Sequence, residues 1–283
     1  MTNSSKVWFI TGAAKGIGQI LAKSLLASGH RVAVTSRDRA ALEKSFAGAD
    51  GLLALETDLT SETSVKAAID ATVERFGAID VVVNNAGYGQ QGTVEALSDE
   101  EYRRNFEVNV FAPLHVMRFA LSHMRRQRAG HIVNVASIVG IQGGYAGWSS
   151  YVATKFALAG LTESLAAEVA EVGIKATVVY PGPVRTDFLS TGSLTIAKHS
   201  IDEYTEAKAS LDLHLDHLDG KQAGDPEKVA QLIITAVAAA EPPLHLFAGT
   251  IANELAEAKI AGVRKDLEAW GDASAATDFP EGQ

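Results

Sequence analysis

Tyr151 and Lys155 stand four residues apart in the segment Tyr-Val-Ala-Thr-Lys. On a helix that spacing puts both side chains on one face, within reach of each other. A tyrosine hydroxyl ordinarily titrates at about pH 10. A neighbouring ammonium favours the phenolate and lowers that value. Such a pair can exchange a proton with a carbonyl or an alcohol near neutral pH. Ser137 could donate a hydrogen bond to the same oxygen and polarise it. Each residue also has an ordinary explanation. Tyr-x-x-x-Lys is common on amphipathic helices, and Ser137 could be a turn residue. Asn109, in Val108-Asn109-Val110-Phe111, could be a satisfied buried amide, since asparagine is a poor residue for a helix interior.

A second piece of chemistry lies near the start. Thr11-Gly12-Ala13-Ala14-Lys15-Gly16-Ile17-Gly18 falls between an apolar run and a helical pattern. Glycines let a backbone turn tightly and approach a pyrophosphate, whose charge a helix N-terminus favours. The spacing is not the G-x-G-x-x-G of the dinucleotide fingerprint, because position 21 is Leu. Taken alone, the turn fits a ligand-free loop equally well.

The elements that must position these groups alternate along the chain. Strands are expected at 6–11, 31–36, 52–57, 80–84, 131–137 and 175–180, with one more at 244–247 after Pro242-Pro243. Their cores are nearly continuous apolar runs, the pattern of strands covered on both faces in a parallel sheet. Helical patterns fill the intervals at 16–28, 63–76, 99–128 and 149–172, with Pro113 expected to kink the third. Repeated βαβ units imply an α/β fold with a doubly wound, mostly parallel sheet and right-handed crossovers. A single domain is expected over 1–271, with an insertion at 190–224 and a loosely held tail at 272–283.

Composition narrows the function. The chain has 283 residues, 47% hydrophobic and 21% charged, with a net charge of −9 and no cysteine. Disulfides, thiolate metal sites and a catalytic thiol are excluded. An acidic surface argues against nucleic acid as the main partner. The N-terminal apolar run, 7–10, is too short for a signal peptide, and no stretch approaches a bilayer span. A cytoplasmic protein without a membrane partner is expected.

Thr-Gly-x-x-x-Gly-x-Gly resembles the cofactor turn of the short-chain dehydrogenase/reductase family. Further motifs follow in the family's order: Asn84-Asn85-Ala86-Gly87 after the fourth strand, Asn109 in the next helix, Ser137, Tyr151 with Lys155, and Pro181-Gly182-Pro183-Val184-Arg185-Thr186 after the sixth strand. The resemblance runs from about Lys6 to Thr186 and implies a Rossmann-like fold and a nicotinamide cofactor. It implies a catalytic set of Asn109, Ser137, Tyr151 and Lys155, with Asn109 supporting a proton-relaying water and Lys155 also holding the nicotinamide ribose. By the same resemblance Gly12, Lys15, Gly16, Ile17, Gly18, Asn85, Ala86, Gly87, Pro181, Gly182, Val184 and Thr186 bind cofactor, and Asp58-Leu59 contacts adenine. One departure stands out. The 14 positions from Ser137 to Tyr151 are one more than the family usually has, and the glycine-rich loop between them could absorb the extra residue.

An NAD enzyme usually ends its second strand with an acid that binds the ribose hydroxyls. By comparison with the family Ser36 holds that place here. Arg37 comes next and Lys15 lies in the glycine turn, two cations suited to a 2′-phosphate. NADP(H) is therefore expected, with NAD(H) possible. Asp38 lies about 20 residues past Gly18, where the fingerprint expects an acid; the alternative is that it caps the helix starting near Arg39.

Tyr88, Gln90, Gln91, Tyr145, Trp148, Phe188, Leu189 and Leu194 are candidate pocket walls. They suit an apolar ketone or aldehyde of medium or large size. The insertion reads as a substrate lid with a leucine stripe at 211, 215 and 218. Asp212, His214, Asp216 and His217 there fit a solvated helix face better than a metal site. Ser149 and Ser150 read as helix caps. The helices at 99–128 and 149–172 are the family's usual dimer surface, so a homodimer or homotetramer is expected by resemblance. The expected activity is NADP(H)-dependent hydride transfer to or from a carbonyl or secondary alcohol. The alternatives are an NAD-dependent alcohol dehydrogenase and a catalytically silent NADP(H)-binding regulator.

Overall fold

A computed structural model of the chain describes residues 5–189 and 193–279, with the side chains of 216–218 excepted. Seven strands form one parallel sheet: β1 (Val7–Thr11), β2 (Arg31–Ser36), β3 (Leu52–Glu56), β4 (Val81–Asn84), β6 (Gly130–Val135), β7 (Ile174–Pro181) and β9 (His245–Ala248). Their spatial order is β3-β2-β1-β4-β6-β7-β9. The order reverses between β1 and β4, and ligands of open α/β sheets bind beyond the strand ends at such a point.

Alternating side chains of each strand feed two cores. Trp8, Ile10, Val32, Val34, Val81 and Val83 face α1 (Gly16–Ala27) and α8 (Pro226–Ala238). Val7, Phe9, Ala33, Val82 and Ile132 face α3 (Glu62–Phe76), α5 (Ala112–Gln127) and α6 (Ser149–Val169). Both strand faces are buried, which is why the strands read as unbroken apolar runs. Asp38 caps α2 (Arg39–Ser45), accepting a hydrogen bond from the Ala41 N–H at 2.9 Å. Among the described residues no helix is long and apolar enough to cross a membrane.

Several boundaries differ from expectation. The helix expected at 99–128 is α4 (Asp99–Phe106) and α5, joined by a π-helical turn over Glu107–Phe111. Pro113 sits in the first turn of α5, directly after the π-helical turn. Ser137 lies beyond β6 and N-caps a 3-10 turn. Ser149 and Ser150 are not caps. Trp148 occupies the N-cap of α6, and the two serines reach α4 instead: Ser149 Oγ lies 2.9 Å from the Tyr102 hydroxyl, and Ser150 donates to Asn105 Oδ1 at 3.0 Å. The last helix, α9 (Thr250–Ala275), continues past Asp272, where a loose tail was expected.

Two short strands lie outside the main sheet. β5 (Gly89–Gln91) pairs in parallel with β8 (Leu194–Ile196). β8 opens the described part of the expected insertion, whose residues 190–192 lie outside the described ones. Then come α7 (Thr205–Asp212) and a π-helical turn, Leu213–Leu218. The expected leucine stripe is not a buried one, for Leu215 is exposed and Leu211 only half-buried, while the side chain of 218 is not described.

Candidate active site

The glycine turn is built by contact with the loop after β4. Gly12 and Gly16 have φ of +66° and +61°, which favour glycine. A Cβ on Gly12 would fall 2.8 Å from Ala86 Cα, and one on Gly18 would fall 2.5 Å from Asn85 Nδ2. Asn85 Nδ2 donates to the carbonyls of Thr11 and Gly12 at 3.0 and 3.1 Å. Thr11 Oγ1 accepts from the N–H groups of Asn85 and Ala86. The Asn85-Ala86-Gly87 segment thus braces the turn across the switch point between β1 and β4.

Lys155 and Tyr151 project from α6 toward the end of β6. Both are buried. The Lys155 Nζ donates to the Val135 carbonyl at 3.0 Å and lies 5.7 Å from the Tyr151 ring centroid. Burial alone lowers the Lys155 pKa to about 8. Burial pushes the Tyr151 phenol up, and a hydrogen bond with Ser137 works in the opposite direction. In the protein alone desolvation is the larger effect on this phenol. Ser137 Oγ accepts the Val139 N–H at 3.3 Å, which leaves its proton for Tyr151.

Asn109 works from behind. Its amide donates to the Tyr88 carbonyl at 2.9 Å and to Thr154 Oγ1 at 3.1 Å, and its oxygen accepts the Tyr88 N–H at 3.0 Å. The π-helical turn aims it there, a recurrent use of such turns. A Cβ on Gly87 would lie 3.1 Å from Asn109 Oδ1 and 3.5 Å from Lys155 Nζ. Only glycine leaves this corner beside the lysine open.

One cleft of about 760 Å³ joins these parts. Gly12, Lys15, Gly16, Ile17, Ser36, Arg37, Asp58, Leu59, Asn85, Ala86, Gly87, Ser137, Tyr151, Lys155, Pro181, Gly182, Val184 and Thr186 all line it. Gly18 and Asn109 are not among its lining residues. The Thr60 hydroxyl and N–H hold the Asp58 carboxyl below its usual range, helped by the charges of Arg104 and Arg37. Ser36 Oγ accepts the Asp38 N–H and keeps its own proton free. Of the expected pocket walls, Tyr88, Gln90, Tyr145, Trp148, Phe188 and Leu189 line the cleft, but Gln91 and Leu194 do not. Gln91 instead donates to the Ala207 carbonyl, and Leu194 belongs to the β5–β8 ladder.

Sequence reading missed Arg104, Lys198, His214, Gln222 and Leu255, which also line the cleft. Arg104 looks like any solvated helix cation in sequence. The His214 ring packs tilted against Trp148 with centroids 4.8 Å apart, and its Nδ1 approaches the Ser210 carbonyl at 2.6 Å. Trp148 Nε1 donates to Ser210 Oγ at 3.2 Å. No cluster that could hold a metal ion occurs among the described residues.

The donor set fits a dinucleotide. A cradle that a Cβ would fill, open backbone at a helix start and cations flanking the end of β2 are what a pyrophosphate and an adenosine ribose need. The short chain dehydrogenase family profile matches residues 6–195. The oxidoreductase BOA17 of Botryotinia fuckeliana is 32% identical over 275 residues, covering 96% of this chain and 99% of that protein. A short-chain dehydrogenase from Streptomyces avermitilis has a similar structure, with a TM-score of 0.89 at 35% identity, covering 98% of this chain and 100% of that one. ElxO, solved with NADP bound, gives 0.71 at 28% identity and covers 86% and 97%. A Burkholderia phymatum relative, solved in complex with NAD, gives 0.78 at 26% identity and covers 94% and 95%. The chain belongs to the short-chain dehydrogenase family and is an oxidoreductase.

Proposed function

We propose that the protein transfers hydride between NADP(H) and a ketone or aldehyde, or the corresponding alcohol. The observation that carries this reading is the single cleft in which the braced glycine turn meets Ser137, Tyr151 and Lys155. The bound nicotinamide would supply or accept the hydride. In the reducing direction Tyr151 Oη gives its proton to the substrate oxygen, while Ser137 Oγ donates a hydrogen bond to it. The Lys155 ammonium, close against Tyr151, stabilises the phenolate left behind and holds the ribose hydroxyls. Asn109 keeps Tyr88 and the corner beside Lys155 in place.

Lys15, Ser36 and Arg37 would hold a 2′-phosphate. The cap made by Asp38 supports this choice, because one oxygen of its carboxylate is already engaged at the start of α2. Aromatic and leucine walls favour an apolar carbonyl compound of medium or large size. The segment from β8 to Gly224 would act as a lid over it.

Fluorescence titration with NADPH and NADH tests the cofactor. Tighter NADPH binding is expected, weakening at least about tenfold in Arg37→Asp. Tighter NADH binding would refute the phosphate site and favour an NAD-dependent alcohol dehydrogenase. Tyr151→Phe should bind cofactor normally but lose about 100-fold or more in turnover of an accepted carbonyl. Full activity in that variant would refute the proton-transfer role. Cofactor binding with no turnover of any carbonyl or alcohol by the unmodified protein would favour a silent regulator.

A further inference from the structure

Trp148 and Phe188 pack their rings against Tyr151, and Tyr88 and Tyr145 extend the aromatic lining of the cleft. One strand pair sets two polar side chains into this wall. In the parallel ladder of β5 and β8, Gln90 is the partner of Thr195, and both line the cleft. Side chains alternate along a strand, and Gly89, Gln91, Leu194 and Ile196 on either side do not line it. Gln90 is only 1% exposed. Its amide offers two donor and two acceptor positions. Nε2 donates to the carbonyl of the adjacent Gln91 at 3.3 Å. Oε1 accepts no hydrogen bond among the described residues, and it is not sealed in as Gln222 Oε1 is. Thr195 is exposed, and its hydroxyl makes no hydrogen bond among the described residues. A buried amide left short of partners costs about 1–3 kcal/mol, which an apolar side chain at this place would avoid.

We propose that Gln90 and Thr195 form a polar subsite for a neutral hydroxyl or carboxamide that the substrate carries close to its reacting carbonyl. This rests on the hydride-transfer reading above and narrows its substrate class to an apolar body with one such substituent. Gln90 Oε1 accepts from the substituent's O–H or N–H, and Thr195 Oγ1 donates to its oxygen. Position fixes the spacing. A Cβ on Gly89 would lie 3.3 Å from Phe188 Cζ, and the Phe188 ring centroid is 5.7 Å from that of Tyr151. The ladder thus stands about one ring's width from the phenol, so the substituent belongs within a few carbon atoms of the carbonyl. Charge fixes the chemistry. Both side chains are neutral, and the nearby Lys198 Nζ faces Glu100 Oε2 at 3.8 Å. A ketone without the substituent leaves the buried amide unpartnered, which is how a hydrogen-bonding site rejects an analogue.

Acetophenone, α-hydroxyacetophenone and benzoylacetamide share one aromatic ketone and differ in the substituent, while benzoylformate carries a carboxylate instead. Each is compared as kcat/KM with NADPH, and as binding to the protein alone by calorimetry. In the unmodified protein α-hydroxyacetophenone or benzoylacetamide should exceed acetophenone about tenfold in both measures. Gln90→Met keeps the bulk and removes the amide, and should bring that ratio to within about threefold of one. Thr195→Val should lower it part of the way. A ratio unchanged in Gln90→Met would overturn the proposal, as would equal or absent binding of the three neutral ketones. Preference for benzoylformate would also overturn it and assign this wall to Lys198 and an anionic substrate. Titration of the unmodified protein with NADPH reads the hydride-transfer proposal separately. Selective binding of α-hydroxyacetophenone or benzoylacetamide without NADPH binding would sink that reading and leave the subsite standing.

Discussion

Lys155 is a buried cation that donates to a neutral carbonyl, that of Val135, and that makes cofactor binding dependent on pH. In the protein alone its pKa is lowered to about 8 by burial, against an ordinary 10.5. A bound dinucleotide brings ribose hydroxyls and phosphate charge toward the ammonium and should raise the value back toward 10.5. The sign follows directly. Below pH 8 the lysine is charged in both states, so affinity is at its full value. Above pH 8 the free protein has lost the proton that the complex must regain, so affinity falls. The gap between about 8 and 10.5 is worth about 3.4 kcal/mol at most. Relative to pH 7, NADPH should bind about tenfold more weakly at pH 9 and about 100-fold more weakly at pH 10. Lys155→Met should bind weakly at every pH and show no decline between 7 and 9. Fluorescence titration at constant ionic strength reads this directly. An affinity that stays flat from pH 7 to 9.5 in the unmodified protein would refute the link between burial of Lys155 and cofactor binding.

Gly18→Ala should cost net stability although alanine is the better helix former. The gain in propensity is about 1 kcal/mol, while overpacking costs about 1–3 kcal/mol, and the new Cβ would sit 2.5 Å from Asn85 Nδ2 and 2.9 Å from the Gly12 carbonyl. Thermal melts with and without NADPH should show a lower Tm and a smaller ligand-induced rise; an unchanged pair of values would remove the bracing argument. His131 is buried with its pKa lowered to about 4, chiefly by desolvation, and its Nε2 lies 2.9 Å from Thr177 Oγ1. The unfolded chain takes up the proton first, so stability is full above pH 6.5 and falls toward pH 4, by about 2.5 kcal/mol at pH 4.5. Urea titrations should show this slope and a shallower one in His131→Asn; equal slopes would assign acid sensitivity elsewhere.

The sheet was legible because doubly covered strands write themselves as unbroken apolar runs, as at 81–83 and 132–135. Tyr151 and Lys155 were legible because one helical period joins them. What escaped depends on contacts distant in sequence. Pro113 suggested a kink, but the irregularity lies just before it, in the π-helical turn that aims Asn109 at Tyr88. Ser149 and Ser150 have the composition of caps and the job of tying α6 to α4. Arg104 and His214 reach the cleft only because α4 and the segment after α7 fold over it, and neither carries a local signal of that. The leucines at 211, 215 and 218 read as a helical stripe, and exposure of Leu215 leaves that face open.

The β5–β8 ladder is one staple on the segment from Ser193 to Gly224. At its start the Gly89 N–H donates to the Ser193 carbonyl and the Ala197 N–H to the Gln91 carbonyl, both at 2.8 Å. At its end the Gly224 N–H donates to the Pro183 carbonyl and the Arg185 N–H to the Gly224 carbonyl, both at 2.9 Å, with the Arg185 guanidinium on Gln222. Chain between two fixed anchors can change length cheaply, at about 0.6 kcal/mol per doubling. Residues 198–221 form a cassette between them, tied to the body as well by Gln91 to Ala207, Trp148 to Ser210 and Tyr204 to Glu95. Descendants of this protein could exchange it for a longer or shorter one, altering what the cleft admits, while the proton-handling half of the site is inherited untouched.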